Sequence, residues 1–224
     1  MSVAIAIDGP SGAGKSTVGH ALSLRINARF VDTGLMYRAL TFAALARRVD
    51  LDDGGALGVL AITCTIEVER PGPGMADRLE TVLLDGRDVT LEVRAPAVER
   101  AVSAVSRHVE VRRAMLGVQR ASAAGDDVVM VGRDIGSVVL PDATLKVYLT
   151  AAAEVRAARR ADEMGLPDRV GAYLEEIRER DAADSGRDVA PLRIPAGALV
   201  LDTGELGVAA CVTVIVARLE VIGA

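Results

Sequence analysis

The chain has 224 residues, half of them apolar and a quarter charged, the balance of a folded domain and not of a disordered or fibrous chain. A formal charge of −5 and a pI near 5.2 provide no global field for a polyanion, so nucleic acid is not expected as a partner and any anion must be gripped locally. The first residues, MSVAIAIDGPSG, carry no basic leader, and the longest apolar run, Val208 to Ala217, is about half of what a bilayer requires, so a cytoplasmic protein without a membrane partner is expected.

Val3 to Ile7 is a β-branched apolar run ending in Asp8-Gly9-Pro10, the pattern of a buried parallel strand. A helix is expected over Ser16 to Ala28, a short strand ending Phe30-Val31-Asp32, and a helix over Leu35 to Arg48 with apolar residues three and four apart. This βαβα opening implies a parallel sheet. Between residues 60 and 92 the texture changes. Thr63 to Glu69 and Thr81 to Leu84 read as strands, separated by Pro71-Gly72-Pro73-Gly74 and followed by an Asp85-Gly86 hairpin signal. Strands joined that closely cannot be parallel, so the segment is expected to be a small antiparallel insertion. Helices over 96–106 and 109–124 lead to strands at Val128 to Val131, Leu145 to Leu149 and Leu199 to Leu201, with helices near 152–163, 168–182 and 206–219. The expectation is an α/β fold with a five-stranded parallel sheet flanked by helices. No repeat of 20 to 50 residues is present. Cys64 and Cys211 form no CxxC pair, and with His20 and His108 as the only histidines no metal framework is visible; two buried thiols are expected.

Of the 26 basic residues, Lys15 and Lys146 are lysines and the rest are arginines, so a lone early lysine carries information. It belongs to Gly9-Pro10-Ser11-Gly12-Ala13-Gly14-Lys15-Ser16, which fits GxxxxGK[ST] directly after the first strand and before the first helix. Glycines let the backbone curl so that successive amides point at phosphate oxygens, and the helix N-terminus adds partial positive charge. Lys15 then reaches the β and γ phosphates of a nucleoside triphosphate, Ser16 is placed to ligate Mg²⁺, and Thr17 adds a contact one residue deeper.

Such a loop serves GTP switches, motors and small-molecule kinases. A guanine-reading NKxD motif is excluded, because Asn27 is the only asparagine and its neighbours Ile26 and Ala28 do not fit. A kinase whose acceptor is itself a phosphate needs cations around that acceptor. It needs no general base, since a phosphate monoester with a second pKa near 6 is mostly deprotonated at neutral pH. Many arginines without a catalytic His or Cys are the expected signature.

With IDGPSGAGKST at 7–17, DTGLMYR at 32–38, GRDIGSVVLPDA at 132–143 and RDAADSGRDVAPL at 180–192, the sequence resembles the bacterial cytidylate kinases of the nucleoside monophosphate kinase family. The resemblance spans the chain and implies a single P-loop kinase domain over 1–224. An acceptor subdomain would cover about 33–112, with the β-rich insertion at 60–92 on the acceptor side, and a short lid about 153–167. It implies transfer of the γ-phosphate of ATP to CMP or dCMP with Mg²⁺, by a cytoplasmic monomer. Thr33 and Tyr37 would contact the acceptor nucleotide and Arg38 its phosphate. Arg133 would bind phosphate and Asp134 an exocyclic amine. Arg180 and Arg187 would be phosphate ligands, and Asp184 the acceptor for the cytosine amine, favouring C over U. Lys15, Arg133, Arg180 and Arg187 are then the catalytic candidates. Ser103 and Arg112 match further acceptor contacts, and Arg156 and Arg160 would be lid arginines closing over the ATP phosphates. Val131 stands where relatives often carry an acid, which leaves Ser16 and, through water, Asp32 as metal candidates. The rival readings are a kinase on this scaffold acting on UMP or another small acceptor, and a nucleotide-binding regulatory module that hydrolyses ATP slowly.

Overall fold

The computed structural model describes residues 2–75, 78–186 and 189–223. Its elements in chain order are β1 (Ala4–Asp8), α1 (Lys15–Arg25), β2 (Arg29–Asp32), α2 (Thr33–Ala46), α3 (Gly54–Thr63), β3 (Ile66–Glu69), β4 (Thr81–Leu84), β5 (Arg87–Asp88), α4 (Pro96–Ser106), α5 (Val109–Ser122), β6 (Val128–Gly132), β7 (Leu145–Thr150), α6 (Ala153–Glu163), α7 (Val170–Ser185), β8 (Leu199–Asp202) and α8 (Val208–Gly223). One sheet has five strands in the order β2-β6-β1-β7-β8, the other three in the order β3-β4-β5. The chain divides into two compact units, residues 1–28 with 127–224, and residues 29–126.

In the first unit β1 lies parallel between β6 and β7, with Ile5 opposite both Val129 and Leu145, and β8 runs parallel to β7. Ile5, Ala6, Ile7, Val129, Met130 and Val131 are fully buried, as strands covered on both faces must be. Since β1, β6, β7 and β8 are parallel, the loops after them (9–14, 133–134, 151–152 and 203–207) leave the same edge, where ligands of such sheets collect. Alanines 157 and 161 of α6 pack on Tyr173 and Ile177 of α7.

The second unit carries α2 to α5 and an antiparallel sheet in which Val68 pairs Val82 and Leu84 pairs Arg87. Asp85 and Gly86 take φ of 51° and 77°, as a two-residue hairpin turn of mirror-image type requires. The Asp85 carboxylate accepts the Thr65 amide at 2.8 Å and the Arg47 guanidinium at 2.9 Å.

The helix ends differ from the sequence expectation for a local reason. After α1, Asn27 turns left-handed with φ 54° and the Ala28 amide donates to Ser23 O at 2.8 Å. After α2, Arg48 does the same with φ 54°, and the Val49 amide donates to Ala44 O at 2.9 Å. Both are Schellman endings without the usual glycine, so each helix stops before the periodicity suggests. α3 lies largely in a stretch for which no element was expected: Asp53 caps it by accepting the Ala56 amide at 2.9 Å. No helix among the described residues is long and apolar enough to cross a membrane.

Candidate active site

The first unit brings the phosphate-loop motif to the end of β1. A Cβ on Gly9 would lie 2.1 Å from the Leu149 carbonyl oxygen, so the loop leaves the sheet where only glycine fits. Gly12 and Gly14 take left-handed φ of 75° and 78°, and Gly14 is the N-cap of α1 without a side-chain oxygen to occupy the helix's first amides. Pro10 and Ala13 are buried, Ser11 and Ser16 are half-buried, and Thr17 is exposed. Lys15 is buried, and its Nζ donates to Pro10 O at 2.7 Å.

Besides Lys15, three side chains from beyond the loop hold its carbonyls. Arg133 Nη1 donates to Gly9 O at 3.1 Å, Arg156 Nη1 to Ser11 O at 3.1 Å, and the Thr203 hydroxyl to Ala13 O at 3.1 Å. Arg133 also donates Nε to Asp184 Oδ2 at 2.8 Å, so the loop after β6 and the RDxxDS segment on α7 meet on one guanidinium. Asp184 is 1% exposed. Arg180, one turn earlier on α7, is half-buried, and Asp134 is buried at the start of the turn that follows Arg133. Arg187 lies outside the described residues.

Arg156 is 4% exposed, with Nε donating to Ala151 O at 2.9 Å and the guanidinium forked onto Asp181 at 3.1 and 2.6 Å. In this structure it braces the phosphate loop through Ser11 O. Arg160, one turn after Arg156 on α6, is partly buried and lies 3.4 Å from Glu163.

Asp8 is a residue that sequence reasoning quoted but gave no role. Its carboxylate accepts the Ile135 and Gly136 amides at 2.6 and 2.8 Å, tying the end of β1 to the turn after Asp134. Burial pushes its pKa up to about 6, against the two amides and Lys15, which favour the anion. Thr203 was also missed. The signal was present in the repeat of Asp-Thr-Gly at 32–34 and 202–204: in both, the Asp carboxylate accepts the Gly amide, at 2.9 and 2.7 Å.

In the second unit Asp32 ends β2 and caps α2. Thr33 and Tyr37 are buried, and the Arg112 guanidinium stacks 5.6 Å from the centre of the Tyr37 ring. Arg38 reaches Glu99 at 3.7 Å and Val93 O at 3.4 Å, and Ser103 is half-buried on α4. The inserted segment contributes Glu80, whose carboxylate accepts the Asp32 amide at 2.8 Å. Burial, with the charge of Asp32, pushes Glu80 up to about 8.

The described residues hold no group of three or more His, Cys, Asp or Glu that could bind a metal by themselves. The Ser16 hydroxyl in the first turn of α1 is a hard oxygen donor, which fits a Mg²⁺ coordinated largely by phosphate oxygens.

A structure from Eubacterium ventriosum described as an uncharacterized protein shares the fold, with a TM-score of 0.53 and 11% identity over 99% of both chains. The cytidylate kinase of Caldanaerobacter subterraneus subsp. tengcongensis is 46% identical over 209 residues, covering 92% of this chain and 89% of that protein. That of Pelotomaculum thermopropionicum is 44% identical over 96% of this chain and 95% of its own length, and that of Roseiflexus castenholzii 51% identical over 80% and 79%. The family model for cytidylate kinase matches residues 5–221. With its phosphate loop, its Gly-Arg-Asp turn and the segment on α7 all in place, the chain belongs to the cytidylate kinase family.

Proposed function

We propose that this protein transfers the γ-phosphate of ATP to CMP and dCMP, yielding ADP and CDP or dCDP. The observation that carries the reading is Arg133, whose guanidinium bridges the Gly9 carbonyl of the phosphate loop and the Asp184 carboxylate of the second motif. A phosphate oxygen of the acceptor attacks the γ-phosphorus in line while the bond to the β,γ-bridging oxygen breaks, and ADP leaves with that electron pair. No base is required, because the acceptor phosphate is already largely deprotonated near pH 7.

In this reading the loop residues 9–17, through their amides other than that of Pro10, and the Lys15 ammonium hold the donor phosphates, and Arg133, Arg180 and Arg187 balance charge on the transferring group. Thr33, Tyr37, Arg38, Ser103 and Arg112 serve the acceptor nucleotide. Asp134 and Asp184 are the candidates to accept the N4 amine of cytosine, a donor where uracil has an acceptor. Ser16, and Asp32 through water, are the residues that would hold Mg²⁺, which neutralises charge on the β and γ phosphates when bound. The acceptor subdomain is assigned to about 33–112 and the lid to 153–167 within one kinase domain, with Arg160 as a lid arginine. We assign the protein to the cytoplasm as a monomer.

The test is the fate of label from ATP carrying a radioactive γ-phosphate, incubated with CMP. Label recovered in CDP is expected, and label recovered only in inorganic phosphate would contradict transfer.

A further inference from the structure

The Arg156 and Thr203 contacts follow a pattern. The carbonyls held from outside are those of alternate residues, Gly9, Ser11 and Ala13. Every described peptide bond is trans, so a carbonyl and the amide that follows it point to opposite sides of the chain. Holding Ser11 O and Ala13 O outward therefore turns the Gly12 and Gly14 amides inward. The Gly9 carbonyl aims no donor, because the next residue is Pro10.

We propose that Arg156 and Thr203 are positioning residues that pre-set the Gly12 and Gly14 amides for the polyphosphate, an inference that rests on the phosphate-binding reading of this loop. Both are themselves fixed. Asp181 grips the Arg156 fork at 3.1 and 2.6 Å while Ala151 O takes its Nε. Arg159 donates Nη1 to the Thr203 hydroxyl at 3.1 Å and Nη2 to Thr203 O at 2.5 Å. That fills an acceptor position on the hydroxyl and sends its one proton toward the two nearby carbonyls, Ala13 O at 3.1 Å and Thr150 O at 3.2 Å. Thr150 O already takes the Thr203 amide at 2.8 Å, so Ala13 O is the acceptor with the greater need. A loop whose amides are already aimed loses less conformational freedom when an anion binds. The role is open to Thr and to Ser, and closed to Val, which has the shape without the proton.

The experiment compares wild type with Thr203→Val, Thr203→Ser and Arg159→Met. Binding of ADP and of inorganic tripolyphosphate is followed by calorimetry, alongside KM for CMP and thermal unfolding. Loss of one hydrogen bond predicts about tenfold weaker binding of both polyphosphates in Thr203→Val, with near wild-type affinity restored in Thr203→Ser and KM for CMP changed by less than about twofold. Arg159→Met, which keeps the hydroxyl and removes its orienting donor, is expected to fall between, and decides the matter if Thr203→Val does not fold. Wild-type affinity in Thr203→Val or, failing that variant, in Arg159→Met overturns the inference, as does an equal loss for CMP. A wild type that binds no tripolyphosphate would instead overturn the reading of the loop itself.

Discussion

Arg133 and Asp184 form an ion pair at 2.8 Å in which the carboxylate is almost wholly buried, and the same guanidinium reaches Gly9 O. Removing the carboxylate leaves a largely buried cation without that partner, so Asp184→Ala is expected to cost roughly 1–3 kcal/mol of stability. Its kinetic signature should be selective: KM for CMP rises and the preference for CMP over UMP shrinks, while ATP affinity stays near normal. An unchanged CMP to UMP preference in steady-state kinetics would remove Asp184 from base recognition.

Lys15 is buried with its ammonium on Pro10 O, inside the loop it would leave to meet a phosphate. Lys15→Met keeps the length of the stem and deletes the charge. Transfer is expected to fall by at least about a thousandfold, the order seen when a preorganised charge facing the reacting phosphate is lost. Single-turnover transfer measures this, and a loss below tenfold would argue against the assigned role.

Asp8 predicts a pH dependence. Its pKa rises from 3.8 to about 6 on folding, so within that window the folded protein holds a proton that the unfolded chain has released. Stability attributable to Asp8 is therefore complete below pH 4, is lost as pH rises to 6 at up to about 1.4 kcal/mol per unit, and is constant above. Asp134 raises this pKa and Lys15 lowers it. Asp8→Asn does not titrate and sets an amide against one of two backbone donors, so it should be less stable throughout. The gap to wild type in urea unfolding should be widest at pH 4 and narrowest above pH 6. A gap that widens toward pH 7 would contradict the shift.

Asp53→Ala removes the cap of α3 and nothing assigned to ligand binding. A loss of about 1 kcal/mol, or about 2–4 °C in Tm for a chain of this size, is expected with unchanged KM values. Calorimetry with parallel kinetics checks it.

Much of this molecule could be read in advance because its signals are local. The run before Asp8, the glycines around Lys15 and the strand-like run Thr81 to Leu84 each report on their own segment. α3 was hidden because its start looks like a turn and its residues are apolar or small on every side, which gives no helical periodicity. The supports of the site were hidden for another reason. Asp8 meets Ile135, Glu80 meets Asp32, and Thr203 meets Ala13 across 48 to 190 residues of chain, and nothing in the types of those residues names the partner. Arg156 is the sharpest case. The resemblance puts it in a lid over the ATP phosphates, and nothing in its residue type or position announces that Asp181 and the carbonyls of Ala151 and Ser11 hold its guanidinium in this structure.

The central claim is tested most directly by ADP release from ATP and Mg²⁺ with CMP, dCMP, UMP, AMP, GMP and dTMP offered separately. Fast turnover on CMP and dCMP, with little on the others, is predicted. Preference for another acceptor would contradict the cytosine contacts, and no acceptor-dependent turnover with ATP still bound would contradict the kinase.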